Sequence, residues 1–348
     1  MSRPSPLAHK GVNYDVGTNY SARHLSRPSP EDGALVRDFT IIREELHATD
    51  VRIFGTAIDD LVRAAGHAID AGLAPWVSPR LIGVPVDESL DYLAAAARAV
   101  EPLRARAPVS FVVGCEASQF VEGIVEGRDI ADRQARMFHL STLLWNAVGV
   151  DPGFQAPLNR YLGRAVELVR AGFGGPVTYA AGVWERVDWT PFDVIGLDYY
   201  RTWHNRLGYR RRLRALRRTG KPVVVLEFGC CTYEGAADRG GHGQLVAIDF
   251  DAEPPVVREG FVRSEAAQAA YVRDLLAIYE EEGLAGAFVF VFVDPAAPHA
   301  DDPRHDLDTA SFALVTAGPP GSGRSYADGH RAPKAAFAVV ASRYGATS

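Results

Sequence analysis

Two glutamates stand alone at the ends of apolar runs in this 348-residue sequence. Glu116 closes the run 109–116, and Glu227 follows the apolar residues of the run that begins at Pro222. A carboxylate at the end of a buried strand is costly unless it has a partner or a chemical task. Two nearby acids push their pKa values apart, so one can be a protonated acid while the other is an ionised nucleophile. The simpler alternative is that each glutamate pairs with an arginine in a purely structural contact.

The elements that must position these glutamates alternate along the chain. Eight short apolar runs precede segments whose apolar residues recur every three or four positions, as in helices. The runs are residues 11–17, 51–56, 74–79, 109–116, 177–182, 194–200, 223–229 and 287–294. Continuous apolar runs are typical of strands buried on both faces of a parallel sheet. Eight such strands alternating with helices predict an α/β protein with a (β/α)8 TIM barrel.

We predict one domain over residues 1–348, with a barrel core at about 11–344, because no linker or second core is evident. Two connections exceed what a barrel needs, at 117–176 after the fourth strand and 229–263 after the seventh. Ser29 and Ser264 each predict the cap of a helix. The alternative of an open doubly wound sheet is disfavoured, since no glycine-rich phosphate-binding motif follows an early strand.

In a barrel of this kind the active site lies at the C-terminal ends of the strands. Polar and aromatic residues end the predicted strands, and carboxylates and aromatics dominate them: Asn13, Tyr14, Asp15, Arg52, Ser78, Arg80, Cys115, Glu116, Trp184, Glu185, Asp198, Tyr199, Tyr200, Glu227 and Asp294. We expect no metal, because the His and Asp residues at 299–308 lack metal-ligand spacing and predict a solvated, salt-linked loop. We also expect no cofactor. The three lysines lie away from these strand ends, which excludes Schiff-base and pyridoxal-phosphate enzymes.

The order of these residues resembles the clan A (β/α)8 glycoside hydrolases, whose fourth and seventh strands each end in glutamate. The resemblance extends over residues 11–344, and the Glu-Phe-Gly triplet at Glu227 and the strand order carry most of it. It implies retaining hydrolysis of a carbohydrate, with Glu116 as acid/base and Glu227 as nucleophile. It also implies that Arg52 steadies Glu227 and that Tyr200 lies beside it. The chain further resembles a group labelled abortive infection proteins.

Two positions depart from the pattern of the clan. Cys115 stands where the clan has asparagine beside a sugar hydroxyl, and a thiol bonds weakly there. The last strand carries no tryptophan. Asn13, Asp198 and Trp184 are further candidates for substrate contact. Two alternatives stay open: a non-catalytic carbohydrate- or metabolite-binding protein on a glycosidase scaffold, and an enzyme that uses the acid pair for cyclisation or isomerisation of a non-sugar metabolite.

The charge and composition indicate which partners to expect. The formal net charge is −6, which argues against a nucleic-acid partner. No apolar stretch is long enough to cross a membrane or to act as a signal peptide. Three cysteines are too few for a disulfide framework and fit a reducing compartment. We therefore expect a cytoplasmic protein whose partner is a small molecule, in particular a carbohydrate, while the sequence leaves the oligomeric state open.

Overall fold

The chain folds as a closed barrel of parallel strands, as a computed structural model shows for residues 6–21, 24–140, 142, 145, 149–318 and 332–346. Each strand pairs with its neighbours in sequence, and the last pairs with the first, so the barrel has no open edge. The strands are β1 (His9–Asp15), β2 (Asp50–Gly55), β3 (Ala74–Pro79), β4 (Ser110–Cys115), β5 (Val177–Ala181), β6 (Ile195–Asp198), β7 (Val223–Phe228) and β8 (Gly286–Val289). Each predicted run overlaps one of these strands, and the predicted (β/α)8 TIM barrel is confirmed.

The barrel interior is filled by side chains rather than left as a pore. One buried cluster is made by residues of the strands and their flanks: Trp76, Val112, Cys115, Ala180, Val194, Val224, Leu226 and Phe288. Gly11 makes room for this filling, because a Cβ atom there would lie 2.2 Å from the ring of Phe288. The strands β2 and β7 are buried along their whole length, which explains why they are apolar without alternation.

In the described part of the chain, seven longer helices surround the barrel: α1 (Asp32–Glu44), α2 (Ile58–Asp70), α3 (Val86–Val100), α4 (Gln155–Arg170), α5 (Tyr209–Arg217), α6 (Glu265–Glu281) and α7 (Ala335–Gly345). The segment 182–194 between β5 and β6 forms turns instead of a helix. It includes Pro191, which disfavours a helix because proline lacks a backbone N–H. Within the described residues, every helix is too short or too polar to cross a bilayer.

One predicted helix cap is confirmed and the other is wrong. The Ser264 hydroxyl accepts a hydrogen bond from the Ala267 amide at 3.3 Å and caps α6. Helix α1 instead begins at Asp32, two residues too late for Ser29 to cap it. The Ser29 hydroxyl donates to Asp60 of α2 at 2.7 Å, so this serine joins two helices rather than starting one.

Both long connections predicted from the sequence are present. Residues 116–154 contain the short helices Ala117–Phe120 and Ile130–Met137 before α4 begins. Residues 229–264 contain three short helical segments and a two-stranded antiparallel pair at 248–249 and 256–257. The two insertions meet, because the rings of Phe138 and His242 lie 6.0 Å apart.

The prediction of a solvated, salt-linked loop at 299–308 is confirmed for residues 301–305, which are exposed, but two aspartates that follow them are buried. Asp306 and Asp308 are only 3% and 1% exposed. Arg263 donates to these two carboxylates at 3.1 and 2.7 Å, and the buried Lys334 donates to Asp308 at 3.1 Å. Cations from distant parts of the chain allow the aspartates to be buried, a pairing that composition alone does not reveal. This ionic cluster joins the insertion after β7 to the segment that precedes α7.

Candidate active site

Glu227 lies near the end of β7 and is held by three side chains from other strands. Its Oε1 atom accepts a hydrogen bond from Arg52 of β2 at 2.9 Å and another from Arg80, which follows β3. Its Oε2 atom accepts from the Tyr200 hydroxyl at 3.2 Å, just after β6. Burial and the charge of Glu227 raise the pKa of Tyr200, so this phenol remains a donor. Two guanidinium groups and a phenol therefore stabilise the ionised form of Glu227.

Arg52 is fully buried beneath Glu227, and the contact expected between these two residues is present. Its guanidinium also lies 3.5 Å from Asp198 and donates to Ser78 at 3.2 Å. Because arginine stays charged, it is a fixed positive charge inside the barrel. Its position at the centre of β2 fits the parallel register, which sets Arg52 beside Asn13 on one side and Trp76 on the other.

Arg80 is a site residue to which the sequence assigned no role. Its guanidinium carbon lies 4.0 Å from the centre of the Phe54 ring, a cation–π contact that fixes the side chain against the end of β2. Arg80 is 6% exposed and donates to the Oε1 atom of Glu227, whereas Tyr200 donates to Oε2. Its position after β3 was the only signal in the sequence, and many strand-end residues share that signal.

Asp198 and Cys115 form a second, inner layer of the site. The Cys115 thiol donates to Asp198 Oδ2 at 3.1 Å, and its sulfur lies 3.8 Å from Glu227 Oε1. Burial and the negative charge of Glu227 raise the pKa of Asp198 to about 7, while Arg52 opposes this rise. Burial also raises the pKa of the Cys115 thiol, so it acts as a neutral donor.

The same three residues are the best candidates for a metal site near the barrel mouth. The donor atoms of Cys115, Asp198 and Glu227 all lie within 4.8 Å of one another. Arg52 and Arg80 already contact these carboxylates, however, and their two positive charges would repel a cation placed between them. The donor set therefore fits an arginine-neutralised anion cluster better than it fits a metal ion.

Glu116 follows β4 in an unusual backbone conformation. Its φ angle is +44°, in the left-handed region that residues other than glycine rarely adopt. The Gln119 side-chain amide donates to its carboxyl group. Burial and the negative charges of Asp198, Glu227 and Glu185 raise the pKa of Glu116 well above its usual range, and Arg80 opposes them only in part. The surroundings of Glu116 therefore favour its protonated form.

Behind Glu116 lies a buried hydrogen-bond network centred on Glu185, which follows β5. Glu185 accepts from the Ser118 amide at 3.0 Å, from the Ser118 hydroxyl at 2.6 Å and from the Tyr179 hydroxyl at 2.8 Å. The Gly182 amide donates to it as well, at 3.0 Å. The sequence placed Glu185 at a strand end but gave it no role, because the turn after Glu116 and the loop after β5 meet only in the folded chain.

Two candidates for substrate contact have structural partners. The Trp184 indole donates to the Ser118 hydroxyl at 2.9 Å, and its ring packs edge-on against Phe138 at 5.1 Å. Asn13 is fully buried, and its amide donates to the Leu226 carbonyl of β7 at 2.8 Å. Asn13 thus ties β1 to β7 inside the barrel, and we do not include it among the groups that face the substrate.

An aromatic wall lies beside Glu227 where the clan has its strand-eight tryptophan. Phe290, just after β8, stacks on Phe54 with ring centres 5.9 Å apart and meets Phe312 edge-on at 5.8 Å. Phe312 in turn lies 6.0 Å from the ring of Tyr200. The site thus combines an apolar wall with two carboxyl groups that have different partners, which is the arrangement needed for general acid catalysis together with nucleophilic attack.

Comparison with known proteins gives matches in fold only. No family model matches the sequence, and no curated protein matches it. Two GH113 β-mannanases of known structure match over nearly their full length. One GH113 β-1,4-mannanase has a TM-score of 0.62 and 14% identity, and the match covers 98% of this chain and 100% of that one. The GH113 β-mannanase from Alicyclobacillus acidocaldarius has a TM-score of 0.56 and 15% identity, with 99% of each chain covered.

A β-glucuronidase from an uncultured Clostridium species is also similar, with a TM-score of 0.55 and 14% identity; the match covers 98% of this chain and 50% of that one. The resemblance to abortive infection proteins finds no support in these comparisons. At such identities the similarity concerns architecture alone. The chain has a (β/α)8 fold, and in this fold it is similar to glycoside hydrolases of known structure.

Proposed function

We propose that this protein is a retaining glycoside hydrolase in which Glu227 is the nucleophile and Glu116 is the acid/base. One observation carries the proposal: the two carboxyl groups have opposite electrostatic surroundings. Glu227 is contacted by two arginines and a tyrosine. Glu116 is contacted by an amide and lies in the field of three other carboxyl groups. Retaining hydrolysis needs one ionised and one protonated carboxyl group in the resting enzyme.

The proposed reaction has two steps. Glu227 attacks the anomeric carbon as the bond from that carbon to the leaving oxygen breaks, and Glu116 gives its proton to that oxygen. Water then attacks the same carbon, Glu116 takes a proton from the water, and the bond to Glu227 breaks. Arg52 and Tyr200 hold the Glu227 carboxylate in one orientation throughout. This restraint lowers the cost of reaching the attacking geometry.

The substrate class follows from the chemistry of the site and from the related folds. Phe290 is the partly exposed ring of the aromatic wall, supported by Phe54 and Phe312, and it suits the apolar face of a sugar ring. The named structural neighbours are β-mannanases and a β-glucuronidase, so we propose a β-linked glycoside. The Cys115 thiol donates to Asp198. A sugar hydroxyl beside the reacting carbon therefore lacks the amide partner that asparagine provides at this position in the clan A hydrolases. Common glucosides are therefore expected to be poor substrates compared with less usual sugars.

A panel of aryl β-glycosides tests the proposal. We expect Glu227→Gln to lose at least about 1,000-fold in turnover while ligand affinity changes little, because the isostere keeps shape and loses nucleophilicity. Glu116→Gln should lose most activity on poor leaving groups and much less on activated phenols. Glu234→Gln, an exposed glutamate in the insertion after β7, is the matched control and should behave as wild type. Full activity in both site variants would refute the assignment.

The stereochemical outcome provides an independent test. Proton NMR of the first product formed should show the anomer of the substrate's own configuration, and a 2-fluoro glycoside should label Glu227 covalently. Release of the opposite anomer would show that water attacks directly. It would turn Glu227 into a general base and contradict the covalent mechanism.

The second candidate is a binding protein on the same scaffold, and the Cys115–Asp198 contact is the observation that favours it. If no glycoside is turned over while the wild type binds a sugar or another metabolite tightly, the binding function is correct. If a non-sugar metabolite is cyclised or isomerised and both glutamine variants abolish this, the acid pair serves a different reaction.

We also propose a cytoplasmic location, supported by the three buried free thiols and testable by cell fractionation.

A further inference from the structure

Glu185 is a buried carboxylate whose hydrogen-bond partners are all neutral donors. It is 3% exposed and accepts from two backbone amides, those of Ser118 and Gly182. It also accepts from the hydroxyl groups of Ser118 and Tyr179. Four donors converge on its two oxygen atoms, so the ionised carboxylate satisfies every partner, whereas a protonated acid would direct its own hydrogen at a donor.

Both hydroxyl groups are themselves oriented by a second donor. The Ala117 amide donates to the Tyr179 oxygen at 2.6 Å, so the Tyr179 hydrogen is free to point at Glu185. The Trp184 indole donates to the Ser118 oxygen at 2.9 Å and orients that hydroxyl in the same way. Two hydrogen-bond chains therefore run in one direction and end on Glu185.

These chains hold the residues that directly follow Glu116. Ala117 and Ser118 are both fastened through their backbone amides, one to Tyr179 and the other to Glu185 itself. Glu116 has a φ angle of +44°, a conformation that persists only where the surroundings enforce it. The Glu185 network thus holds the two residues on the C-terminal side of Glu116.

We propose that Glu185 is the positioning residue of Glu116: it anchors the turn that carries Glu116 and places a fixed negative charge behind it. The proposal rests on the acid/base role of Glu116 proposed above. Glu185 does not contact the substrate in this role. It acts through Glu116, which it keeps in one orientation and in its protonated state.

Glu185 differs from the other acidic groups around Glu116 in the partners that contact it. Asp198 of β6, Glu227 of β7 and Glu185 disfavour ionisation of Glu116, and Arg80 favours it. Cys115 and Tyr200 also face this cluster and are neutral donors. Glu227 is offset by Arg52 and Arg80, and Asp198 lies 3.5 Å from Arg52. Among the described residues no cation contacts Glu185. Burial raises its pKa, but the hydrogen bonds from Ser118, Tyr179 and Gly182 oppose that rise and favour the carboxylate form that acts on Glu116.

The pH profile of kcat/KM tests the charge, because its alkaline limb reports the ionisation of the general acid in the free enzyme. We expect Glu185→Gln to move this limb to lower pH by at least about half a unit, since a like charge near Glu116 is removed. Ser118→Ala is the matched control: it breaks one chain but keeps Glu185, which still accepts from three donors. Its kcat should fall on poor leaving groups while the alkaline limb stays in place. An unmoved limb in Glu185→Gln overturns the proposal.

A measurement that needs no turnover separates this proposal from the proposed function. In protein labelled with ¹³C at the glutamate carboxyl carbon, the Glu116 signal is identified by its loss in Glu116→Gln. We expect this signal to titrate at lower pH in Glu185→Gln than in wild type. If the shift is present but no glycoside is cleaved, the proposed function fails and the inference about Glu185 holds. If Glu116 titrates identically in both proteins, the inference fails whatever the activity.

Tyr179→Phe covers the case in which Glu185→Gln does not fold. This variant keeps Glu185 but removes the acceptor of the Ala117 amide. We expect the Ala117 amide to exchange with solvent at least about 10-fold faster than in wild type, because its partner is lost. The rate on poor leaving groups should fall by a similar factor, with the rate on activated phenols unchanged. Unchanged exchange and unchanged leaving-group dependence would refute the anchoring role.

Discussion

Asp198 makes the stability of the fold depend on pH, and replacing it should remove much of that dependence. This residue is 1% exposed and lies between the Cys115 thiol and Arg52. Burial and the charge of Glu227 raise its pKa to about 7 in the folded chain. An aspartate in the unfolded chain has a pKa of about 3.9. Between these values the folded state holds a proton that the unfolded state has released, so the free energy of unfolding falls as pH rises.

The size of the effect follows from the two pKa values. Asp198 contributes most to stability below pH 4, loses this contribution between about pH 4 and 8, and adds almost nothing to the slope above pH 8. Between pH 5 and pH 7 the loss amounts to about 2 kcal/mol by linkage. Asparagine cannot ionise. Asp198→Asn should therefore gain about 2 kcal/mol relative to wild type when both are moved from pH 5 to pH 7.

Urea denaturation at pH 5, 6, 7 and 8 measures this difference. Glu116 adds a pH dependence of the same sign, so the comparison is between wild type and Asp198→Asn at each pH rather than between absolute values. Asp38→Asn is the control for loss of a buried carboxyl group outside the site, since Asp38 accepts from Tyr14 on the flank of the barrel. Parallel curves for wild type and Asp198→Asn would show that Asp198 is already ionised at pH 5, and would refute the reasoning.

Three further substitutions have expected outcomes. Arg52→Met should lower kcat/KM at least about 100-fold in steady-state assays and cost about 3 kcal/mol in urea denaturation, because Glu227 loses a buried cation. Lys334→Met should lower the free energy of unfolding by about 2 kcal/mol, measured in the same way, since Arg263 still offsets Asp308 in part. Ser264→Ala should cost about 1 kcal/mol and lower Tm by a few degrees in thermal melts without changing activity.

The fold was predictable because its strands are buried on both faces. Such strands read as unbroken apolar runs, and all eight runs overlap strands of the barrel. The errors arose where one local signal was read without its tertiary partner. Ser29 has the residue type of a cap but bonds to Asp60 of another helix. In the acidic stretch at 299–308, residues 301–305 are exposed as in a surface loop, but Asp306 and Asp308 are buried beside Arg263 and Lys334.

Only those contacts of the candidate site that follow from the order of the strands could be predicted from the sequence. Parallel strands bring their C-terminal ends to one mouth, so Glu227, Arg52 and Tyr200 could be expected to meet, and they do. Strand order does not say how a connecting loop folds back. Arg80 and Glu185 lie just after their strands, and their contacts depend on the exact path of the turns there. In the sequence, these two residues look like the other residues at strand ends, so their roles could not be predicted.

The unequal distribution of charge explains how similar side chains come to differ in role. Glu116 and Glu227 have the same chemistry and lie at equivalent ends of two strands. Arg52 and Arg80 both contact Glu227, and this leaves Glu116 among carboxyl groups with only the partial influence of Arg80. Because a fixed cation favours the ionised form and a fixed anion the protonated form, the roles follow from the neighbours. In the proposed mechanism, the acid and the nucleophile are thus set by residues that need not touch the substrate.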